Sequence, residues 1–333
     1  MCYKLPVQTT RRHFLTTATG ALWIVGGVLP LVGCGSAESP PASAPAAAPP
    51  APPADALAQM RANVGAAPIE TVKLSDNLVM LSGPGGNVLV LNGPDGHVVV
   101  DTFVQPAWTN LKQTLDGMGN TPVKVLIDTH WHFDHTDNNE RFRQAGAEIV
   151  AHDNTKKRMS ESHSLLGMEF APSPAGALPT QTFAADHKIA ANGEAVELGH
   201  IPPAHTDTDI YIRFTKANVL HLGDVFFNGM YPFIDAGTGG TINGMIAGAD
   251  LGLKLSDNRT RIVPGHGPLS DKALLGTYRD MLVTARDRVQ KLKADGRSLQ
   301  EMLAAKPTAD LDETWGKGFM MPNDFLTIVY NTL

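Results

Sequence analysis

The run Thr129-His130-Trp131-His132-Phe133-Asp134-His135 constrains this chain more than any other stretch. It follows Val123-Lys124-Val125-Leu126-Ile127, an apolar run that reads as a buried strand,. The cluster therefore falls on the loop at a strand's end, where α/β proteins build their sites. His130 and His132, two positions apart, can turn toward one cation, while Asp134 and His135 can turn toward a second. The spacing points to two metal ions, whose remaining ligands must come from elsewhere in the chain.

Three later segments each carry a polar residue beside or at the tip of an apolar run: Ala204-His205-Thr206-Asp207-Thr208-Asp209, Leu222-Gly223-Asp224 and Pro264-Gly265-His266-Gly267. The only cysteines, Cys2 and Cys34, lie near the N-terminus, so the folded body has neither a disulfide nor a thiolate ligand,. Any metal there must take His, Asp, Glu or water. Of the other histidines, His221 falls inside a strand pattern and is expected to be packed or hydrogen-bonded. His152, His163, His187 and His200 are expected to be solvated, with His163 in a long loop able to cover the site.

Short strands are expected at 78–81 and 87–91, followed by a Gly93-Pro94-Asp95-Gly96 turn into 97–101,. A helix at 107–115, the strand ending at Ile127, a helix after Asn138 and a strand at 148–151 continue the alternation. After a Pro- and Gly-rich stretch from His163 to Pro179, strands resume at 195–201, 209–215 and 219–222. A helix over 242–255, a strand at 261–263 and a long amphipathic helix over 271–294 follow,. Ser298-Leu299-Gln300-Glu301 is a capping box opening another helix, and 323–332 forms a last one,. Alternating strands and helices of this kind make sheets covered by helices, an α/β fold.

The first 56 residues have a different character. Thr10-Arg11-Arg12-His13-Phe14-Leu15 resembles a twin-arginine export signal, and Leu31-Val32-Gly33-Cys34 resembles a bacterial lipobox,. Residues 1–33 are then a signal, residues 34–56, nearly all Ala, Pro and Ser, an extended tether, and residues 57–333 the folded domain,. The expected location is periplasmic, reached by the twin-arginine route, with lipidated Cys34 held in a membrane. Because Lys4, Arg11 and Arg12 stand in the signal with no acid beside them, the rest of the chain is more acidic than the overall charge of -6. An acidic body argues against a nucleic-acid partner and leaves a small molecule as the expected ligand.

His-x-His-x-Asp-His, with the three later segments in order, resembles the metallo-β-lactamase-fold hydrolase superfamily from Asn77 to about Pro268. The resemblance implies a four-layer αββα sandwich with C-terminal helices added. It implies His130, His132 and His205 on one metal, Asp134, His135 and His266 on a second, and Asp224 between them. Asp101, ending a strand, resembles the acid that orients a ligand histidine through its free ring nitrogen,. Imidazoles and carboxylates without thiolate make two zinc ions the expected cofactor, with iron or manganese chemically open. Zinc lowers the pKa of bound water toward about 7, so no Ser or Cys nucleophile is needed. Asp134 would orient the attacking hydroxide and handle its proton, and Asn228 and Tyr231 are candidates to stabilise an oxyanion.

The implied activity is hydrolysis of a cyclic amide or ester, β-lactamase-like and broad in specificity. True β-lactamases usually carry Cys or Ser where Asp224 stands, whereas a bridging Asp is typical of glyoxalase II thioesterases and lactonases, which form the alternative. An iron-dependent oxidoreductase of the persulfide dioxygenase type, holding one iron, is the alternative of another class.

Overall fold

The computed structural model describes residues 56–333. The expected export signal, Cys34 and the expected tether as far as residue 55 lie outside the described residues. Helix α1 (Ala56–Gly65) precedes β1 (Glu70–Lys73), β2 (Leu78–Gly83), β3 (Gly86–Leu91) and β4 (His97–Val100), which pair antiparallel in sequence order. Through α2 (Trp108–Asp116) the chain reaches β5 (Val123–Ile127), parallel to β4. The short helices α3 (Phe133–Thr136) and α4 (Asn139–Gln144) then lead to β6 (Glu148–His152), parallel to β5. Helix α5 (Asp153–Met159) and a hairpin of β7 (His163–Leu165) and β8 (Met168–Phe170) come before β9 (Gln181–Phe183), which completes a seven-stranded sheet beside β6.

A five-stranded sheet follows, with β10 (Asp186–Ala191), β11 (Glu194–His200), β12 (Ile210–Phe214) and β13 (Val219–His221) antiparallel in order. Helix α6 (Ile242–Leu255) crosses to β14 (Arg261–Val263), which runs parallel to β13. Helices α7 (Lys272–Ala294), α8 (Leu299–Ala305), α9 (Asp312–Trp315) and α10 (Pro322–Asn331) close the chain. Among the described residues, no helix is long and apolar enough to cross a membrane.

The period-two pattern of the strands sorts their side chains into separate cores. Met80, Val98 and Val100 share the inter-sheet core with Leu198, Ile212 and Val219 of the second sheet. Their strand neighbours Leu81 and Val99 turn the other way and pack with Leu111 and Leu115 of α2. On the far side, Leu220 and Ile262 pack with α6 and α7 through Met245, Ala249, Tyr278 and Leu282. The result is helices, sheet, sheet, helices, the αββα order. Each buried Leu, Val or Met contributes about 1.5–3 kcal/mol, so these apolar layers carry the fold and polar groups collect at the strand tips.

Those tips converge. The parallel pairs β4 with β5 and β13 with β14 end at one edge of the sandwich, where Ile210 N–H donates to the Thr129 carbonyl at 3.0 Å and joins the two sheets. Asn87 of β3 reaches across as well, donating from Nδ2 to the carbonyls of Pro264 and Gly267 at 2.9 Å each.

Helices α6 and α7 and strand β14 fall where the sequence pattern puts them, and the Ser298–Glu301 capping box has both of its reciprocal bonds. The expected loop at 163–179 instead begins with the β7–β8 hairpin. Helix α5 and edge strand β10 are additional. The first is polar with only Thr155 and Met159 buried, and the second buries no residue fully, so neither shows hydrophobic periodicity,.

Candidate metal centre

The backbone divides the histidine cluster in two. His132 is extended (φ -63°, ψ 150°) and caps the single turn of α3, so His130 and His132 precede the helix while Asp134 and His135 lie within it. The glycine hairpin tip between β2 and β3 approaches the same loop. Gly85 has φ +95°, and a Cβ there would lie 2.9 Å from the Asp134 Cβ, so both the backbone angle and the space require glycine,.

His130 Nε2 lies 3.1 Å from His132 Nδ1, which lies 2.9 Å from His205 Nε2. The second ring nitrogen of each is occupied by an acceptor. His130 Nδ1 lies 3.0 Å from the Thr129 hydroxyl, whose own proton goes to Asp101. His132 Nε2 lies 3.2 Å from Asp235 Oδ2, and His205 Nδ1 lies 2.9 Å from the Phe233 carbonyl. With the outer nitrogens protonated, the three inner nitrogens present lone pairs to one another. Facing lone pairs repel, and a shared cation is what reconciles them.

A second set sits beside the first. His135 Nε2 and His266 Nε2 lie 3.5 and 3.4 Å from Asp134 Oδ2, while Asp101 accepts from His135 Nδ1 at 2.8 Å. Asp224 stands between the sets, with Oδ1 3.3 Å from His135 Nε2 and Oδ2 3.2, 3.6 and 3.9 Å from His266, His205 and His130. His135 Nε2 and Asp224 Oδ1 are buried without a hydrogen-bond partner, the condition expected of atoms shaped to hold an ion,. Both donor sets fit a metal, and their imidazole and carboxylate chemistry suits zinc,.

The electrostatics differ between the sets. Burial, reinforced by neighbouring imidazoles, pushes His130 well below the ordinary histidine range. Burial also pushes His205 down, to about 4, against the opposing pull of Asp224. For His266, burial is outweighed by the carboxylates of Asp224 and Asp134, which raise it to about 9, and His135 is raised in the same way. Burial would raise Asp224, but His266 and His135 hold it below the usual carboxylate range.

Asp101 lies where expected, bonded to His135 and also accepting Thr129 N–H at 2.8 Å, in the left-handed region at φ 65°. Such a backbone is uncommon outside glycine and is held here by the surrounding bonds. The oxyanion candidates are placed otherwise. Tyr231 is fully buried, donates its hydroxyl to Asp312 at 2.8 Å and stacks on Phe325, while Asn228 Nδ2 donates to the Pro268 carbonyl at 2.9 Å. Tyr231 thus braces the C-terminal helices and Asn228 the loop that carries His266, and neither lines the cavity beside the donor sets.

His152 is buried rather than solvated, accepts from Asn154 N–H at the start of α5 and stacks on half-buried His200 at 3.9 Å. His187 is half-buried and stacks on Phe183. His163 packs on Trp131 and bonds the Arg158 carbonyl, so Leu165 and Leu166 of the hairpin, not His163, face the cavity. His221 is buried in β13 and accepts from Gly223 N–H, as its strand position suggests. Sequence reasoning missed Asp235, whose loop offers no signal, and the Phe233 carbonyl, which no side-chain pattern can reveal.

An αββα sandwich with two adjoining His and Asp donor sets at one edge defines a class of metalloprotein. The family model of the metallo-β-lactamase superfamily matches residues 81–286, and the chain belongs to that superfamily of metal-dependent hydrolases. Its fold is similar to the metallo-β-lactamase from Pontibacter korlensis, at 20% identity over 65% of this chain and 99% of that one, with a TM-score of 0.56. The DIM-1 metallo-β-lactamase is similar at 19% identity over 66% of this chain and 98% of the other, with a TM-score of 0.54. The inverting sec-alkylsulfatase Pisa1 from Pseudomonas sp. aligns over 79% of this chain but 50% of its own, at 16% identity and a TM-score of 0.60. At these identities the likeness is one of fold. No curated protein matches the chain in sequence.

Proposed function

We propose that this protein is a dinuclear zinc hydrolase that opens a cyclic amide or ester, exported and tethered to a membrane through Cys34. The observation that carries the catalytic reading is the pair of adjoining donor sets joined by Asp224. His130, His132 and His205 would hold one ion, Asp134, His135 and His266 the other, and Asp224 would contact both. Bound zinc supplies Lewis acidity and makes water nucleophilic near neutral pH.

The chain supplies positioning and proton handling. Asp101 and Asp235 fix the ring orientation of His135 and His132, so that each donor nitrogen faces inward,. Asp134 lines the cavity, which lets its carboxylate orient a substrate water and take its proton,. The acid standing at position 224 favours lactones and thioesters as further substrates beside β-lactams. The second donor set favours this hydrolase over a one-iron oxidoreductase.

Metal analysis should give two zinc ions per chain. Hydrolysis of a chromogenic cephalosporin or a lactone should vanish with chelator and return with zinc. Asp134→Ala should lower turnover by about 100-fold or more, the range for a lost acid–base group. One iron per chain, or no hydrolysis of any lactam, lactone or thioester by zinc-loaded protein, would sink the assignment.

A further inference from the structure

We infer that the substrate carries a neutral, apolar acyl or alkyl chain, seated in the cavity beside the donor sets; this deepens the hydrolase reading and rests on it. The cavity is about 250 Å³, and His132, Asp134, Asp224 and His266 form its polar end. The rest is almost wholly apolar. Helix α1 supplies Met60 and Val64, the β7–β8 hairpin supplies Leu165 and Leu166, and Phe319 comes from the segment between α9 and α10. Met60, Val64 and Phe319 all lie outside the superfamily-matched residues 81–286, so additions to the shared fold build part of the wall.

Charge narrows the class further. No Lys or Arg is among the described residues lining this cavity. The arginines lining the neighbouring cavity are already paired. Arg61 binds Asp137 through Nε and Nη2 at 2.7 and 2.6 Å, and Arg158 binds Asp207 through Nε and Nη2 at 3.1 and 2.7 Å. A carboxylate on the substrate's tail would lose water and meet hydrocarbon or the acids Asp134 and Asp224. A hydrocarbon tail would instead cover Leu166 and Phe319, which stand 43% and 60% exposed at the cavity. Each methylene buried there should raise affinity about three- to fourfold.

The test uses the full-length, zinc-loaded chain and two readouts. With p-nitrophenyl esters from acetate to decanoate, kcat/KM should rise at least about tenfold between acetate and hexanoate. Independently of turnover, 1-octanol should displace the neutral fluorophore N-phenyl-1-naphthylamine at least about tenfold more tightly than 1-butanol. Leu166→Asn, which suits the left-handed backbone at that position (φ 53°), and Phe319→Ser should each reduce the chain-length preference several-fold,. Leu274→Ser, at an exposed position on α7, should leave it unchanged.

A flat chain-length series in both readouts overturns the inference. So does displacement of the fluorophore by octanedioate, which carries a second carboxylate at the far end of its chain, as tightly as by octanoate. Chain-length-dependent binding with no ester or amide turned over leaves the inference standing and removes the hydrolase reading instead.

Discussion

The donor nitrogens of this centre are aimed by groups that need never touch a metal. Asp235 accepts from His132 Nε2 at 3.2 Å and also accepts the Thr238 hydroxyl and Gly237 N–H. Burial would raise this carboxyl, but the bond and charge of His132 hold it near 2, so it remains an acceptor throughout the neutral range. Asp235→Ala removes the acceptor, lets the His132 proton move to Nδ1 and withdraws a lone pair from the centre. Zinc affinity should fall about 10- to 100-fold by competition with a chromogenic chelator, and an unchanged affinity would show that His132 needs no such partner. Asp101 was legible because it ends an apolar strand in a family-like position. Asp235 is 103 residues from His132 in a loop of ordinary composition, so only the folded chain reveals it. The His152–His200 stack supports a pH prediction away from the donor sets. Burial, then the charge of His152, lowers the His200 pKa below 6.5, so the unfolded chain takes up a proton that the folded chain resists. This contribution to stability is full above pH 6.5 and is lost as pH falls below it toward the folded value. Urea midpoints should therefore drop between pH 7.5 and 5.5, and His200→Gln should flatten that slope. Equal slopes in the two proteins would exclude His200 as the source.

At the scale of elements, legibility followed periodicity. Helix α7 buries Tyr278, Met281, Ala285 and Val289, which recur at three- and four-residue steps readable without coordinates, and adds Leu275 and Leu282, while Leu274, which the same steps put on that face, stands exposed,. The walls of the cavity have no such pattern. Helix α1 buries only Gly65 completely, and the β7–β8 hairpin contributes three residues per strand, too few for alternation to register. These elements are held by tertiary contacts. Arg61 joins α1 to Asp137 by two charged hydrogen bonds and lies over the Phe133 ring at 5.3 Å. Asp137 is 9% exposed at its side chain and also accepts Gln105 N–H, so losing Arg61 leaves a mostly buried acid with a single partner. Arg61→Ala should therefore cost about 1–3 kcal/mol in urea denaturation. It should also raise KM for long-chain esters more than it lowers kcat, because α1 supplies Met60 and Val64 to the cavity. A loss below about 0.3 kcal/mol with KM unchanged would mean that α1 is held by its apolar contacts alone.

Across the whole molecule, the centre couples the two sheets. Asp101, His130, His132, Asp134 and His135 follow β4 and β5 of the first sheet, whereas His205, Asp224 and His266 come from loops of the second. The αββα order was legible because the ligand-bearing segments occur in family order between apolar strands. Their convergence was not, since it depends on parallel strands of separate sheets ending at one edge. Without a cation this edge holds inward-facing lone pairs and buried acids, including the unpartnered His135 Nε2 and Asp224 Oδ1. A cation that binds the folded chain stabilises it by mass action, by about 4 kcal/mol when free metal is a thousandfold above its dissociation constant. For a domain of this size, whose unfolding entropy is about 2.1 cal/mol/K per residue, that corresponds to a rise in Tm of roughly 7 °C. Chelation should remove the rise and zinc should restore it. Asp224→Ala should lose a larger share of the zinc-dependent rise than a change at His266 alone, because Asp224 faces both donor sets while His266 belongs to one. Thermal scans of the two variants with and without zinc decide the matter: equal losses would mean that the two halves of the centre load as one unit or that Asp224 serves only one of them, and no zinc-dependent shift in the parent would mean the sheets are joined by their apolar core alone.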